Sequence, residues 1–474
     1  MAYPTVSVVS PFGALRGLER DGVMAFSGVR YARAERFRPP VPVTDWDGEL
    51  DATAVGPQCP QLFGMLEQAL GGTSLPADED CLNLNVYTPG CDDRARPVIV
   101  WIHGGAFTTG TGAMPWYDGS RLAILGDVVV VTINYRLGAF GFSGRTNAGL
   151  RDQVCALRWV RQQIAAFGGD PGNVTIVGES AGGASVVALM AVPSADGLFH
   201  RAFAMSPSLG QLRSGERADE ALATFLAETG ATDLAELADT PVQRLLDAQG
   251  EIIRRHAGAG LTDFSPCHDG SFVPEPILDA AARHPAPLVV GTTRDEMLLF
   301  TTFNPAMATL DDDGLLALAV ERLGERAVEA IDRYGRHRRG AAALAIASAI
   351  QTDDVFRVPA RRLVEARVAS GVASWMYWFT WASPAFHGRL GSCHAMDIPF
   401  VFNNLHRRGV AQFTGEGTDR QAVADAYSAS LLALATTGEP GWDRYDLDRR
   451  TTMVFDVDGV PVHDPEPELR ELWS

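Results

Sequence analysis

Val174-Thr175-Ile176-Val177-Gly178-Glu179-Ser180-Ala181-Gly182 is the stretch from which the rest of the chain is read. Its first four residues are all β-branched, which suits a short strand buried on both faces. Residues 184–190 are small or apolar and imply a helix. Between the two stands Gly-x-Ser-x-Gly, the strand–turn–helix setting of a nucleophile elbow. Such a turn is tight and strained, and the flanking glycines let the backbone pass closely. Ser180 Oγ then stands at a helix N-terminus above the sheet edge. Glycine supplies 48 of 474 residues, so five residues can match by chance. The strand before and the helix after are what carry the assignment.

Working outward, a serine that accepts acyl groups needs donors aimed at the oxyanion that forms on attack. One is the N–H of the next residue, Ala181. His103-Gly104-Gly105-Ala106-Phe107 directly follows the apolar run 97–102, and its small residues allow the N–H groups of Gly105 and Ala106 to turn inward. In α/β-hydrolases the acid and then the histidine follow the serine along the chain. The apolar run 288–290 leads through Gly291-Thr292-Thr293 to Arg294-Asp295-Glu296, and either carboxylate could serve. The aromatic run 375–381 leads to a loop holding His387 and His394. His394, within Gly391-Ser392-Cys393-His394-Ala395-Met396-Asp397-Ile398-Pro399, is the better candidate. Cys393 lacks an elbow and is set aside as a nucleophile.

The remaining pattern is α/β. Gly13 to Leu18 and Gly22 to Val29 look like hairpin strands, and residues 128–133 form a further buried strand. Leu157, Val160, Ile164 and Phe167 mark one face of a helix against the sheet. Residues 216–256 and 311–370 are expected to be mostly helical insertions. No linker, repeat or low-complexity tract interrupts the chain. The expectation is one α/β domain over residues 1–474, with a central, mostly parallel sheet flanked by helices.

Composition narrows the chemistry. The net charge is 40 − 58 = −18, and all 40 basic residues are arginine. Without lysine there is no Schiff-base lysine, Walker-A lysine or Ser–Lys dyad. The bias reads as codon usage in a GC-rich bacterial genome. An acidic chain is unsuited to nucleic acid, and no run of 18 apolar residues offers a membrane span. Met1-Ala2-Tyr3-Pro4-Thr5 does not resemble a secretory signal, so a cytoplasmic location is expected. Six cysteines without a C-x-x-C pair argue against a disulfide scaffold or a zinc site. No cofactor and no metal are expected.

The chain resembles the type-B carboxylesterases, a family of the α/β-hydrolase fold that includes bacterial para-nitrobenzyl esterases and the cholinesterases. The extended elbow, Phe167-Gly168-Gly169-Asp170-Pro171-Gly172-Asn173 continuing through Gly182, carries most of the likeness. Glu79-Asp80-Cys81-Leu82-Asn83-Leu84-Asn85-Val86-Tyr87-Thr88-Pro89 is the second piece. Phe26 to Ala32 and Thr437-Gly438-Glu439-Pro440 are weaker echoes. The resemblance implies a serine carboxylesterase acting on a small ester, as a monomer or small homo-oligomer. It implies Glu296 rather than Asp295 as the acid, supports His394 as the base, and gives Glu179 an electrostatic role. It also implies structural ion pairs of Arg136 with Asp170 and of Arg36 with Glu79, and aligns Cys59 and Cys81 with a family disulfide whose formation here is left open.

Departures from the family pattern matter too. Gly104-Gly105-Ala106 replaces a triple glycine and keeps every N–H, and Asn83 replaces a common aromatic. Met205-Ser206-Pro207 stands where Gln-Ser-Gly is usual, which argues against a supporting role for Ser206. The segment between Cys59 and Cys81 has no tryptophan, so a choline ester is not expected. Phe107, Phe400 and Phe402 are candidates for lining the substrate pocket. The same triad could act on carbamates, amides or lactones. A relative without catalysis, serving adhesion or scaffolding, is the alternative of another class.

Overall fold

The computed structural model describes residues 3–62, 75–255, 263–338 and 342–474. Residue 256 of the first helical stretch and residues 339–341 of the second lie outside these ranges. Among the described residues one sheet contains thirteen strands. Across it run Thr5–Ser10, Gly13–Arg20, Val23–Arg30, Asn83–Thr88, Val129–Ile133, Arg96–Ile102, Gly169–Glu179, Arg201–Met205, Leu288–Thr293, Ser374–Phe379, Thr451–Phe455 and Pro461–His463, with Glu49–Asp51 beside the second. Every pairing from Val129–Ile133 to Thr451–Phe455 is parallel, and the outer pairings at both ends are antiparallel except that of Glu49–Asp51 with Gly13–Arg20, which is parallel. The fold is the α/β-hydrolase fold.

The apolar runs form strands because both faces of the sheet are covered. Along Arg96–Ile102, Val98, Val100 and Ile102 enter the core on one face, while Ile99 and Trp101 enter the core on the other. The helix Ala148–Gln163 covers the first face with Leu157 and Val160. Ile164 and Phe167 continue that buried stripe in a tighter 3₁₀ turn that ends at Gly168. A third, smaller core joins the helices Asp312–Leu323, Ala327–His337 and Ala343–Thr352 to Leu469, Leu472 and Trp473 near the chain end. Among the described residues no helix is long and apolar enough to cross a membrane.

The elbow strand is longer than residues 174–177. It begins at Gly169, with an irregularity in its pairing between Gly169 and Val174. Asp170 caps the turn there, accepting the Gly172 N–H at 2.8 Å. This removes it from the pairing expected with Arg136. Arg136 instead makes a bidentate bond with Asp152 of the following helix, Nε to Oδ2 at 2.8 Å and Nη2 to Oδ1 at 2.7 Å. Asp152 is fully buried, and a parallel guanidinium–carboxylate fork satisfies both groups where water is excluded. The Arg36–Glu79 pair forms as expected, with Nε donating to Oε2 at 2.9 Å. Cys59 and Cys81 are both buried free thiols.

Breaking a buried pair leaves one charge unpaired at a typical cost of about 3–5 kcal/mol. Arg136→Ala is therefore expected to lower unfolding stability by that order in denaturant titration. Asp170→Asn, which keeps an acceptor for the Gly172 N–H, should stay within about 0.5 kcal/mol. A larger loss in the second variant than in the first would restore Asp170 as the partner.

Candidate active site

The site lies at the carboxyl ends of the parallel strands, the usual ligand edge of such a sheet. Glu179 ends the elbow strand, and Ser180 follows with φ 58° and ψ −119°. A non-glycine residue holds such angles only when its surroundings enforce them. Here a Cβ on Gly178 would lie 2.4 Å from the Gly182 carbonyl carbon, and a Cβ on Gly182 would lie 2.0 Å from the Ile102 carbonyl oxygen. Both motif glycines are thus required by close approach. The Ser180 N–H donates to the Met205 carbonyl, and its own carbonyl accepts from Ala184 in the helix Ala181–Leu189.

The neighbouring strand Arg96–Ile102 delivers the Gly-rich loop. A Cβ on Gly104 would lie 2.7 Å from the Glu179 carbonyl oxygen and 3.1 Å from Ser180 Cβ, so the loop runs directly over the elbow. Gly105, Ala106 and Phe107 all have positive φ, and the Gly105 carbonyl accepts the N–H groups of Thr108 and Thr109. Among the described residues no protein acceptor is paired with the N–H of Gly105, Ala106 or Ala181. Gly105 and Ala106 line the pocket beside Ser180, and Ala181 is fully buried behind it. His103 stacks on Tyr135 and holds the Gly104 carbonyl through Nδ1 at 2.8 Å. Burial pulls its imidazole down to about 4, so it is neutral and donates that bond.

Glu296 lies just past the strand Leu288–Thr293 and is fully buried. Its Oε2 is 2.6 Å from His394 Nδ1, and its Oε1 accepts the Thr293 N–H at 2.7 Å. Oε1 also accepts the Ser206 hydroxyl at 2.6 Å. The supporting role argued against for Ser206 is therefore real. Met205 pairs with Gly291 in the sheet and the Ser206 N–H donates to the Gly291 carbonyl, which sets Ser206 at the edge where Glu296 lies. Asp295 turns away, bonding Arg294 and the Ser392 N–H. His387 is exposed, whereas His394 is buried within the site.

The bond to Glu296 keeps the proton on Nδ1, which leaves His394 Nε2 as the basic atom. That Nε2 lies 3.1 Å from Glu179 Oε1. Burial pulls the imidazole down, but the two flanking carboxylates and the bond to Glu296 outweigh it and raise the His394 pKa above the ordinary value. Burial raises the Glu179 carboxyl in turn, with His394 opposing. Below them Asp397, pushed up to about 7 chiefly by burial, accepts from Tyr377 at 3.2 Å and Tyr427 at 3.1 Å.

Ser180 and His394 open onto a cavity of about 280 Å³. Phe107, Phe400 and Phe402 do not line it. Phe107 packs on Phe142, Phe400 on Phe379 and Trp381, and Phe402 on Trp101, all inside the core. The aromatic walls are Tyr117, Phe300 and Phe356, and the two phenylalanine rings stand 5.3 and 4.8 Å from that of His394. Phe300 comes four residues after Glu296, a helical spacing that sequence could have offered. Phe356 sits in a single π-turn, Asp353–Arg357, with no local signal. Gln58, Gln61 and Gln211 add polar wall, and Glu179 is the only carboxylate among the cavity's described lining, which includes no arginine.

A strained serine and a carboxylate-held histidine that open onto one cavity, at the carboxyl edge of a parallel sheet, fit the α/β-hydrolase class. The comparisons with known proteins narrow it. The model of the Carboxylesterase family matches residues 4–456. The chain is 37% identical to the para-nitrobenzyl esterase of Bacillus subtilis, over 98% of this chain and 97% of that one. It is 33% identical to the phenmedipham hydrolase of Pseudarthrobacter oxydans, over 95% of each. The solved carboxylesterase of Geobacillus stearothermophilus matches with a TM-score of 0.87 at 37% identity, covering 99% of this chain and 100% of that one. The chain belongs to the carboxylesterase family, and it is a carboxylic ester hydrolase.

Replacing Glu179 by Gln removes a negative charge from His394 Nε2, so the imidazolium loses stabilisation. The His394 titration, followed by NMR of labelled imidazole, should move to lower pH in Glu179→Gln. An unchanged or higher midpoint would show that Glu179 does not act on it.

Proposed function

We propose that Ser180, His394 and Glu296 form the catalytic triad of this esterase, with an acyl-enzyme on Ser180. The observation that carries the proposal is the continuous link from Glu296 Oε2 to His394 Nδ1 at 2.6 Å, beside a serine on an elbow. Ser180 Oγ attacks the ester carbonyl carbon while His394 Nε2 takes its proton. The carbonyl π electrons move to oxygen, and the N–H groups of Gly105, Ala106 and Ala181 receive that oxyanion. Collapse breaks the bond to the alcohol oxygen, which leaves with the proton from Nε2. Water then repeats the sequence on the acyl-enzyme, releasing the acid and free Ser180. Glu296, fixed by Ser206 and Thr293, holds the ring and stabilises the imidazolium.

A partly aromatic cavity whose described lining carries Glu179 and no arginine supports small esters without a negative charge as substrates. One sheet spanning residues 5 to 463 supports a single working domain. Six free thiols suit a reducing compartment and support a cytoplasmic location, and similarity to the relatives from Bacillus subtilis and Pseudarthrobacter oxydans supports a bacterial source.

Ser180→Ala should abolish hydrolysis of a p-nitrophenyl ester while circular dichroism stays native; full activity would sink the serine mechanism. Glu296→Gln should reduce kcat by about 10³–10⁴-fold, as loss of a triad acid does elsewhere. Asp295→Asn should cost far less, and the reverse ranking would move the acid to Asp295.

A further inference from the structure

We propose that Gln61 is a positioning residue for the oxyanion loop, acting through the peptide of Gly110. The inference rests on reading the Gly105 and Ala106 N–H groups as oxyanion donors. Gln61 Oε1 accepts the Gly110 N–H at 2.8 Å, and Gln61 Nε2 donates to the Gly110 carbonyl at 3.0 Å. The same Nε2 donates to the Cys59 carbonyl at 3.0 Å, which fixes the carboxamide against the chain that carries it. One side-chain amide thus pairs with both backbone polar groups of one residue, as a neighbouring strand would. Among the described residues neither group of Gly110 has a backbone partner.

Gly110 lies directly on the part of the loop that carries the donors. A Cβ there would stand 2.3 Å from His103 Nδ1 and 2.6 Å from the Gly104 carbonyl oxygen. A Cβ on Gly105 would stand 2.2 Å from the Thr109 carbonyl oxygen. The loop is therefore folded back on itself, residues 104 and 105 against 109 and 110, with no space between the layers. Gln61 holds the outer layer, and the outer layer holds the inner one. Past it, Gly112 is separately anchored by Asn134, Asn85 and Thr132. Gln61 is thus the tether on the side of the loop that faces the substrate cavity, which it also lines.

An oxyanion donor matters only where charge develops, so a displaced loop lowers kcat and leaves ground-state binding nearly unchanged. Gln61→Met keeps the side-chain length and removes both bonds. It should lower kcat about 10- to 100-fold on a p-nitrophenyl ester, part of the 10²–10³ that follows complete loss of a donor. KM should stay within about threefold. The affinity of an aryl trifluoromethyl ketone, which forms a tetrahedral oxyanion adduct on the serine, should fall in parallel with kcat/KM. Gln61→Asn, too short to reach Gly110, gives the same readout should the methionine variant fold poorly. Unchanged kcat and ketone affinity per titrated active site would overturn the proposal, as would a loss confined to KM. If Ser180→Ala retained activity, the catalytic reading itself would fail. If that variant is inactive while both Gln61 variants run at full speed, only the role of Gln61 falls.

Discussion

The backbone conformation of Ser180 is the constraint on which the site depends. At φ 58° the serine is held off the ordinary path of a strand entering a helix. It is kept there by contacts that leave no room for a Cβ on Gly178 or Gly182. Those contacts involve the next strand, because Gly182 approaches the Ile102 carbonyl. The strain is therefore distributed over the packed centre of a parallel sheet rather than borne by one turn, and the loop beyond Ile102 is carried to the serine by the same packing. A rigid scaffold that positions a reactive group before substrate arrives is what electrostatic catalysis requires.

Electrostatics then follow from burial. His394 lies between two buried carboxylates, Glu296 on Nδ1 and Glu179 near Nε2. The cavity's described lining supplies no arginine to neutralise them. In the proposed mechanism this favours imidazolium formation as the proton leaves Ser180. Ser206, Thr293 and the aromatic walls restrict the ring and carboxylate to one arrangement.

What could be read in advance was whatever a short stretch of chain determines. The elbow, the loop at Gly104-Gly105-Ala106 and the order of Ser180, a carboxylate at 295 or 296 and His394 depend on local geometry and on the alternation of strand and turn, whereas the choice of Glu296 over Asp295 came from the family resemblance. What could not be read depends on which residues meet across the sheet. Ser206 meets Glu296 because Met205 and Gly291 share a register, a fact invisible in either segment alone. Arg136 meets Asp152 because a helix folds back, and Asp170 is occupied by its own turn. Phe107, which the sequence leaves open between pocket and core, has its ring turned into the core by the positive-φ loop, and Phe356 enters the site only through a π-turn.

Covalent chemistry at Ser180 leaves an acyl intermediate that can be trapped. The enzyme is mixed with a slowly deacylating aryl ester, quenched in acid and cleaved after arginine. Ser180 then lies in the peptide from Gln162 to Arg201, which fragmentation mass spectrometry can locate. The account predicts one acyl group on that peptide, at Ser180 rather than Ser185 or Ser194. An acyl group on the peptide containing Cys393, or turnover without any adduct on Ser180, would contradict it.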